Sequence, residues 1–303
     1  MNEPLPLAAA EATCRLKGDD SGLVSFFVLT FLTSWAVWGL AFLPHFDLPF
    51  FRIPTPAGLA ERFGKDAPVA LLTLGAYAPT AWGIYFTRRR CGNAGLRELF
   101  ARLGRVRVPV IWLVAVILLP ALCNTLTAGL ITWSTGRAPK FSAGYLTPQF
   151  ILWVMAFGGP MNEELGWRGF ALPRLLQVRS SLVASVGLGL IWALWHLPLF
   201  FVAGSAQRGG PLAAYIVIVI CLSIFMTAAH LGTGGSLLVA VLFHTAGDAA
   251  APLWRPSAPF NPLYGVLPWL FVAGTIVFCR RTVWLVRPSK YQYAQCHQIQ
   301  PNA

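Results

Sequence analysis

Three short clusters hold almost all the ionisable chemistry in the apolar part of this 303-residue chain. The first is Glu163, Glu164 and Arg168, in GGPMNEELGWRGF. Glu164 and Arg168 are four apart, so on a helix they share a face and can pair. Glu163 points about 100° away and is left over. A spare carboxylate removed from water is a candidate general base. The plainer alternative is that all three reach out to water at a membrane surface. The second cluster is Trp192 and His196, again four apart. A lone histidine there is more often bonded to a neighbouring carbonyl than reactive. The third is His244 and Asp248 in LFHTAGDAA. They too share a helix face, and a polar pair joining two helices is the plain alternative. Eight of the 11 acidic residues lie in tails or loops, and these three are the exceptions.

The elements that must position these groups are apolar. The chain is 56% hydrophobic and 11% charged, against roughly 25% charged for a soluble domain. Apolar runs near the ~20 residues needed to cross a bilayer are expected at 22–43, 68–87, 108–131, 148–166, 181–203, 212–230, 235–252 and 263–286. The fold class is therefore all-α: a polytopic membrane protein, a bundle of about eight transmembrane helices. One transmembrane domain, 22–287, would sit between cytoplasmic tails at 1–21 and 288–303.

The net charge of +12 suits a basic membrane surface, and no nucleic-acid motif accompanies it. With both termini in the cytoplasm, sixteen of the 23 Lys and Arg residues fall inside and seven outside, as the positive-inside rule asks. Residues 95–106 read as a short basic amphipathic helix on that inner surface. The acidic start of the chain argues against a cleavable signal peptide. The six scattered cysteines suggest neither a disulfide framework nor a thiolate metal site.

Depth brings the clusters together. Spans four and five form a hairpin turning near Ser180, and Glu164 and His196 are each 16 residues from that turn. Antiparallel neighbours at equal distance from a turn meet at one height. His244 lies about ten residues into its span, or roughly 15 Å. All four groups are expected to converge in the cytoplasmic half. Gly158, Gly159 and Pro160 would loosen span four just before the glutamates, admitting water and a substrate backbone.

Taken in order, these motifs resemble those of the CAAX protease and bacteriocin-processing (Abi) family of intramembrane proteases. They are EExxxR (Glu163, Glu164, Arg168), aromatic-xxx-His (Trp192, His196) and HxxxN/D (His244, Asp248). The resemblance covers about residues 145–255. It implies a bundle of about eight helices around a conical cavity open to the membrane and cytoplasm. It also implies that Glu163 and His196 activate a water, while His244 and residue 248 stabilise the tetrahedral oxyanion.

Two positions depart from the family pattern. Trp192 stands for the commoner Phe, which reads as a packing change. Asp248 stands for Asn, and an ionised Asp cannot donate to an oxyanion. Asp248 would have to be protonated, orient His244 or bind a cation. Glu163, His196 and His244 could supply the ligands of a divalent metal such as zinc with an open position. The sequence leaves metal and metal-free water activation both open. The expected function is a membrane-embedded endopeptidase in the cell membrane, acting on a peptide or protein substrate reached from the membrane or cytoplasmic side. Two alternatives stand beside it. One is a non-catalytic immunity or interaction protein of the same fold; the other is a transporter, against which the absence of a visible inverted repeat counts.

Overall fold

The computed structural model describes residues 21–42, 47–48, 51–52, 67–202, 205–256, 261–279 and 284. Apart from Ser21, the expected tails 1–21 and 288–303 lie outside the described residues. So does most of the last span beyond Cys279. Among the described residues the architecture is a helical bundle, with two two-residue strand pairs as the only sheet.

In chain order the helices are α1 (Ser21–Phe42), α2 (Ala67–Ala76), α3 (Ala78–Ala101) and α4 (Val110–Thr135). Next come α5 (Pro148–Phe157), α6 (Pro160–Gly166), α7 (Leu172–Val178) and α8 (Ser181–Trp195). The last three are α9 (Leu212–Gly232), α10 (Leu237–Ala250) and α11 (Leu263–Cys279). Gly22–Gly39, α4 and α9 are long and apolar enough to cross a membrane, and shorter apolar helices run over 181–195, 237–253 and 263–279. This is an integral membrane protein, but its eight expected spans are not eight uniform rods.

Span two is two helices meeting at Tyr77, and α3 runs on through a kink at Gly92 to Ala101. The expected surface helix at 95–106 is the end of α3 plus a 3₁₀ turn, Arg102–Gly104. Its Leu99 and Arg102 are buried. Span four is broken. α5 stops at Phe157, α6 starts at Pro160, and Gly159 between them has φ 143°. Beyond α6 the chain stays helical through Gly169 and Pro173. It widens into a π turn, Trp167–Ala171, and continues as α7. Those five residues are buried, so Arg168 does not reach out to surface water.

Helix starts are set by side-chain caps. Thr147, Ser180 and Ser236 accept hydrogen bonds from the backbone N–H three residues on, which satisfies one of the donors that a helix start leaves unpaired. In lipid, helices gain little by hiding apolar surface, and small residues that allow close packing matter more. Gly166 shows this: a Cβ there would lie 2.3 Å from the Pro79 carbonyl oxygen of α3. Gly189 does the same against Ile220 and Ser223 of α9, whereas Gly187 meets nothing within 4 Å. An aromatic cluster of Phe26, Phe86, Trp167 and Phe170 ties α1 and α3 to the π turn. The Trp38 and Trp195 rings, 4.7 Å apart, tie α1 to α8.

The two ends of the bundle differ in charge. At one end Arg102 donates to the carbonyls of Gly235, Gly169 and Arg168, at 2.7, 3.1 and 3.2 Å. Arg105 bonds the Gly234 carbonyl, and Gly22 packs on the Arg90 guanidinium. The start of α1, the end of α3, the 179–181 turn and the α9–α10 loop therefore share one arginine-rich end. The opposite end holds the strand pair Lys140–Phe141 with Trp254–Arg255, the start of α5 and the loop after α8. Cys123, Cys221 and Cys279 are free. Cys91 is disulfide-bonded, against the reading of a chain without disulfides.

Candidate active site

The three clusters do meet. Arg168 Nη1 donates to Glu164 Oε1 at 3.0 Å, with both side chains essentially unexposed. This is the expected pair. The same oxygen also takes a hydrogen bond from His244 Nδ1, at 2.8 Å. Glu164 thus fastens α6 to α10 as well as to its own helix. The Arg168 guanidinium also sits 4.2 Å from the centre of the Trp192 ring, a favourable cation–π placement.

Glu163 is left out of that pair, as the helix arithmetic required, but it is not loose. Trp192 Nε1–H donates to its Oε2 at 2.7 Å. Trp167 Nε1–H donates to the same oxygen at 3.3 Å. Two indoles therefore fix one carboxylate oxygen, and the other, Oε1, is turned towards Gly159. Trp192 does more than fill space, because a phenylalanine has no N–H to offer. Trp167 was missed in the sequence. It lies four residues after Glu163, so the spacing that pairs Glu164 with Arg168 also pairs these two, but indoles are usually counted as packing.

His196 follows the last residue of α8. Its Nδ1 is 2.9 Å from the Trp192 carbonyl oxygen, the ordinary partner of a histidine in such a place. That bond requires the proton on Nδ1 and leaves Nε2 of the neutral ring as an acceptor. His196 also packs edge-on to Tyr215 of α9, with centroids 5.7 Å apart. Tyr215 is a second aromatic neighbour that no spacing rule pointed to. His244 lies edge-on to Trp192 at 5.3 Å. On its far side Nε2 is 3.6 Å from Asp248 Oδ2, beyond hydrogen-bond range. The Asp248 side chain is 40% exposed and faces the cavity.

Gly159 shows where the groups face. A methyl group on its Cα would lie 2.9 Å from Glu163 Oε1 and 3.2 Å from His244 Nε2. One small space is therefore within reach of a carboxylate oxygen and an imidazole nitrogen, and the missing side chain keeps it open. The space adjoins a cavity of about 580 Å³, within the usual range for ligand sites. Glu163, His196 and Asp248 face this cavity, and its walls include Trp38, Phe150, Trp153, Phe157 and Trp195.

The equal-depth argument holds, and the site lies towards the end of the bundle away from the arginine-rich loops. The cavity also touches Leu72, Tyr145, residues 205–207 and Pro252. All of these belong to the end remote from the arginines. The reason is length: the 15 residues of α8 rise roughly 22 Å at 1.5 Å each, which carries His196 past the middle of a ~30 Å core.

The metal set raised from the sequence, Glu163, His196 and His244, is not gathered into a ready-made site. Among the described residues no three His, Cys, Asp or Glu side chains are grouped to hold an ion. No step is therefore routed through a metal.

A buried carboxylate–histidine site inside a membrane helix bundle defines a class, and comparison with known proteins narrows it. Residues 145–250 match the family model described as Rce1-like, type II CAAX prenyl endopeptidase Rce1-like. The chain is also 32% identical, over 146 residues, to a protein of Methanococcus maripaludis named CAAX prenyl protease 2. That alignment covers 45% of this chain and 52% of the relative, so the chain spans about half the length of the curated relative it matches. Both matches support the CAAX protease family, in agreement with the three motifs.

Proposed function

We propose that this chain is a membrane-embedded endopeptidase that hydrolyses peptide bonds of membrane-associated substrates by metal-free water activation. The substrates would be of the prenylated CAAX-like or bacteriocin-like kind. The observation that carries this reading is the shared space at Gly159, about 3 Å from both Glu163 Oε1 and His244 Nε2. A reacting carbonyl needs a base and an oxyanion donor within such reach of one point.

Glu163, held by Trp192 and Trp167 through Oε2, takes a proton from water through Oε1 as the water oxygen adds to the carbonyl carbon. His196 orients that water through Nε2. The negative charge that develops on the carbonyl oxygen is met by His244 Nε2–H. Carboxylates on both sides, Glu164 at Nδ1 and Asp248 near Nε2, suit a ring that carries a proton on each nitrogen. That gives Asp248 a role that an oxyanion donor in its place would not need: it keeps His244 charged. The proton held by Glu163 then passes to the leaving amine as the C–N bond breaks, and the carboxylate is restored.

A second reading rests on the same Asp248. A carboxylate 3.6 Å from His244 Nε2 would repel an oxyanion, which favours a non-catalytic immunity or interaction protein. The experiment that separates the two compares new protein N-termini in cells carrying wild type, Glu163→Ala or no copy. The proteolytic reading expects a set of termini present only with wild type, at equal membrane abundance of the variant. Identical termini in all three, with Glu163→Ala still rescuing a deletion phenotype, would replace it with the interaction reading.

A further inference from the structure

The chain as a whole is strongly basic, with 23 Lys and Arg against 11 Asp and Glu. The cavity beside the catalytic groups is the reverse. Among the described residues, the acidic side chains on its lining are Glu163 and Asp248, and no Lys or Arg lines it. Much of the remaining wall is aromatic, with Trp38, Trp153 and Trp195 beside Phe150 and Phe157. Two carboxylates in such a wall repel an acidic segment. A purely apolar segment suits it little better, because it would take water from a carboxylate and offer nothing in return.

The two carboxylates are not equally available. Both indoles hold Glu163 Oε2, and in the proposed reaction Oε1 is engaged by water. Asp248 is less committed. His244 Nε2 stands 3.6 Å from its Oδ2, too far for a hydrogen bond. Among the described residues no hydrogen bond ends on this carboxylate. It lies on α10 four residues after His244, a rise of about 6 Å at 1.5 Å per residue. A group paired with Asp248 therefore sits about one helical turn from the point where the reacting carbonyl oxygen is met. Consecutive Cα atoms of a peptide are about 3.8 Å apart, so that distance is spanned within two residues of the substrate.

We infer that the substrate carries a basic side chain, lysine or arginine, within about two residues of the bond that is cut, and that Asp248 is the residue that selects it. The inference deepens the proteolytic reading and rests on it for the word substrate. The aliphatic stem of such a side chain lies along the apolar wall, and its charged end meets the carboxylate. Aromatic rings add to the attraction, because a cation is drawn to their π systems. A site built around a polar partner rejects an analogue that lacks it, since its own buried group is then left unpaired. Asp248 thus serves twice: it keeps His244 charged, and it pairs with the substrate's cation on the cavity side.

The test uses the full-length protein in liposomes and two short peptides of alanine and leucine, one with a central lysine and one with norleucine in its place. Norleucine keeps the aliphatic stem and lacks the charge. Hydrolysis is followed with wild type. Binding is followed with Glu163→Gln, which leaves Asp248 as the acidic group on the lining. The lysine peptide should be favoured about tenfold or more in both kcat/KM and Kd. Asp248→Asn should lose or reverse that preference, and Asp248→Glu, which keeps the charge, should retain it. The ratio of two peptides on one protein is insensitive to a general loss of turnover or of folded protein, so a role of Asp248 confined to His244 would leave it unchanged. Equal or better handling of the norleucine peptide by wild type would overturn the inference. So would an undiminished preference in Asp248→Asn, or no binding of either peptide. Lysine-selective binding without hydrolysis by wild type sinks the proteolytic reading and leaves the selectivity of Asp248 standing. Hydrolysis without lysine preference does the opposite.

Discussion

Glu163 shows how a buried carboxylate can be kept both fixed and available. Hydrogen bonds from the indoles of Trp192 and Trp167 pin Oε2 and leave Oε1 over the Gly159 space. A hydrogen bond to a charged group contributes about 1.5–3 kcal/mol. Trp192→Phe removes the shorter bond while keeping an aromatic ring. Turnover should fall roughly ten- to hundredfold, as that energy implies, with KM and membrane abundance little changed. An unchanged turnover number for Trp192→Phe would reduce the indole to a packing group. At this scale the sequence was partly legible. The i, i+4 rule found the Glu164–Arg168 pair and set Glu163 apart, because that rule depends only on helix geometry. It did not show that Glu164 is shared with His244, 80 residues away. Nor did it show that Trp192 bonds Glu163 across 29 residues. Long-range partners depend on how helices pack, and spacing along one helix does not carry that information.

At the scale of elements, the break between α5 and α6 positions the chemistry. Gly158 closes α5 on the Val154 carbonyl at 2.8 Å. Gly159 turns the chain at φ 143°, where an L side chain is strained. Pro160 restarts the helix without needing a bonded N–H. The Gly-Gly-Pro triplet announced a break, and the break is there. What the sequence could not show is that the missing Cβ also leaves room between base and imidazole. Gly159→Ala should abolish turnover, since the methyl group takes up that space and the backbone conformation is disfavoured. Gly187→Ala, where the added methyl meets nothing within 4 Å, should stay within about twofold of wild type in the same assay. Equal activity of the two variants would remove Gly159 from the site. In the next segment Gly169 and Pro173, breakers in isolation, do not end the helix. Here Pro173 opens α7 and the π turn absorbs the irregularity, as such turns often do near functional sites.

At the scale of the molecule, composition alone gave the class, because an 11% charged chain has few other ways to fold. The number and ends of the spans were less legible. Hydropathy reports apolar length and does not see the breaks at Tyr77 and Gly159, nor the early end of α8 at Trp195. That early end leaves His196 just beyond the helix, facing the cavity. The central claim remains chemical: Glu163 is the base. The most direct measurement takes one peptide from the cleaved set and follows its hydrolysis by purified protein in liposomes, comparing wild type with Glu163→Gln. Glu163→Gln keeps the size and the indole contacts but cannot take a proton. The account predicts a fall in turnover of about 10²–10⁴-fold with substrate binding and folded yield retained. Turnover within about twofold of wild type, given the scale of general-base effects, would contradict it.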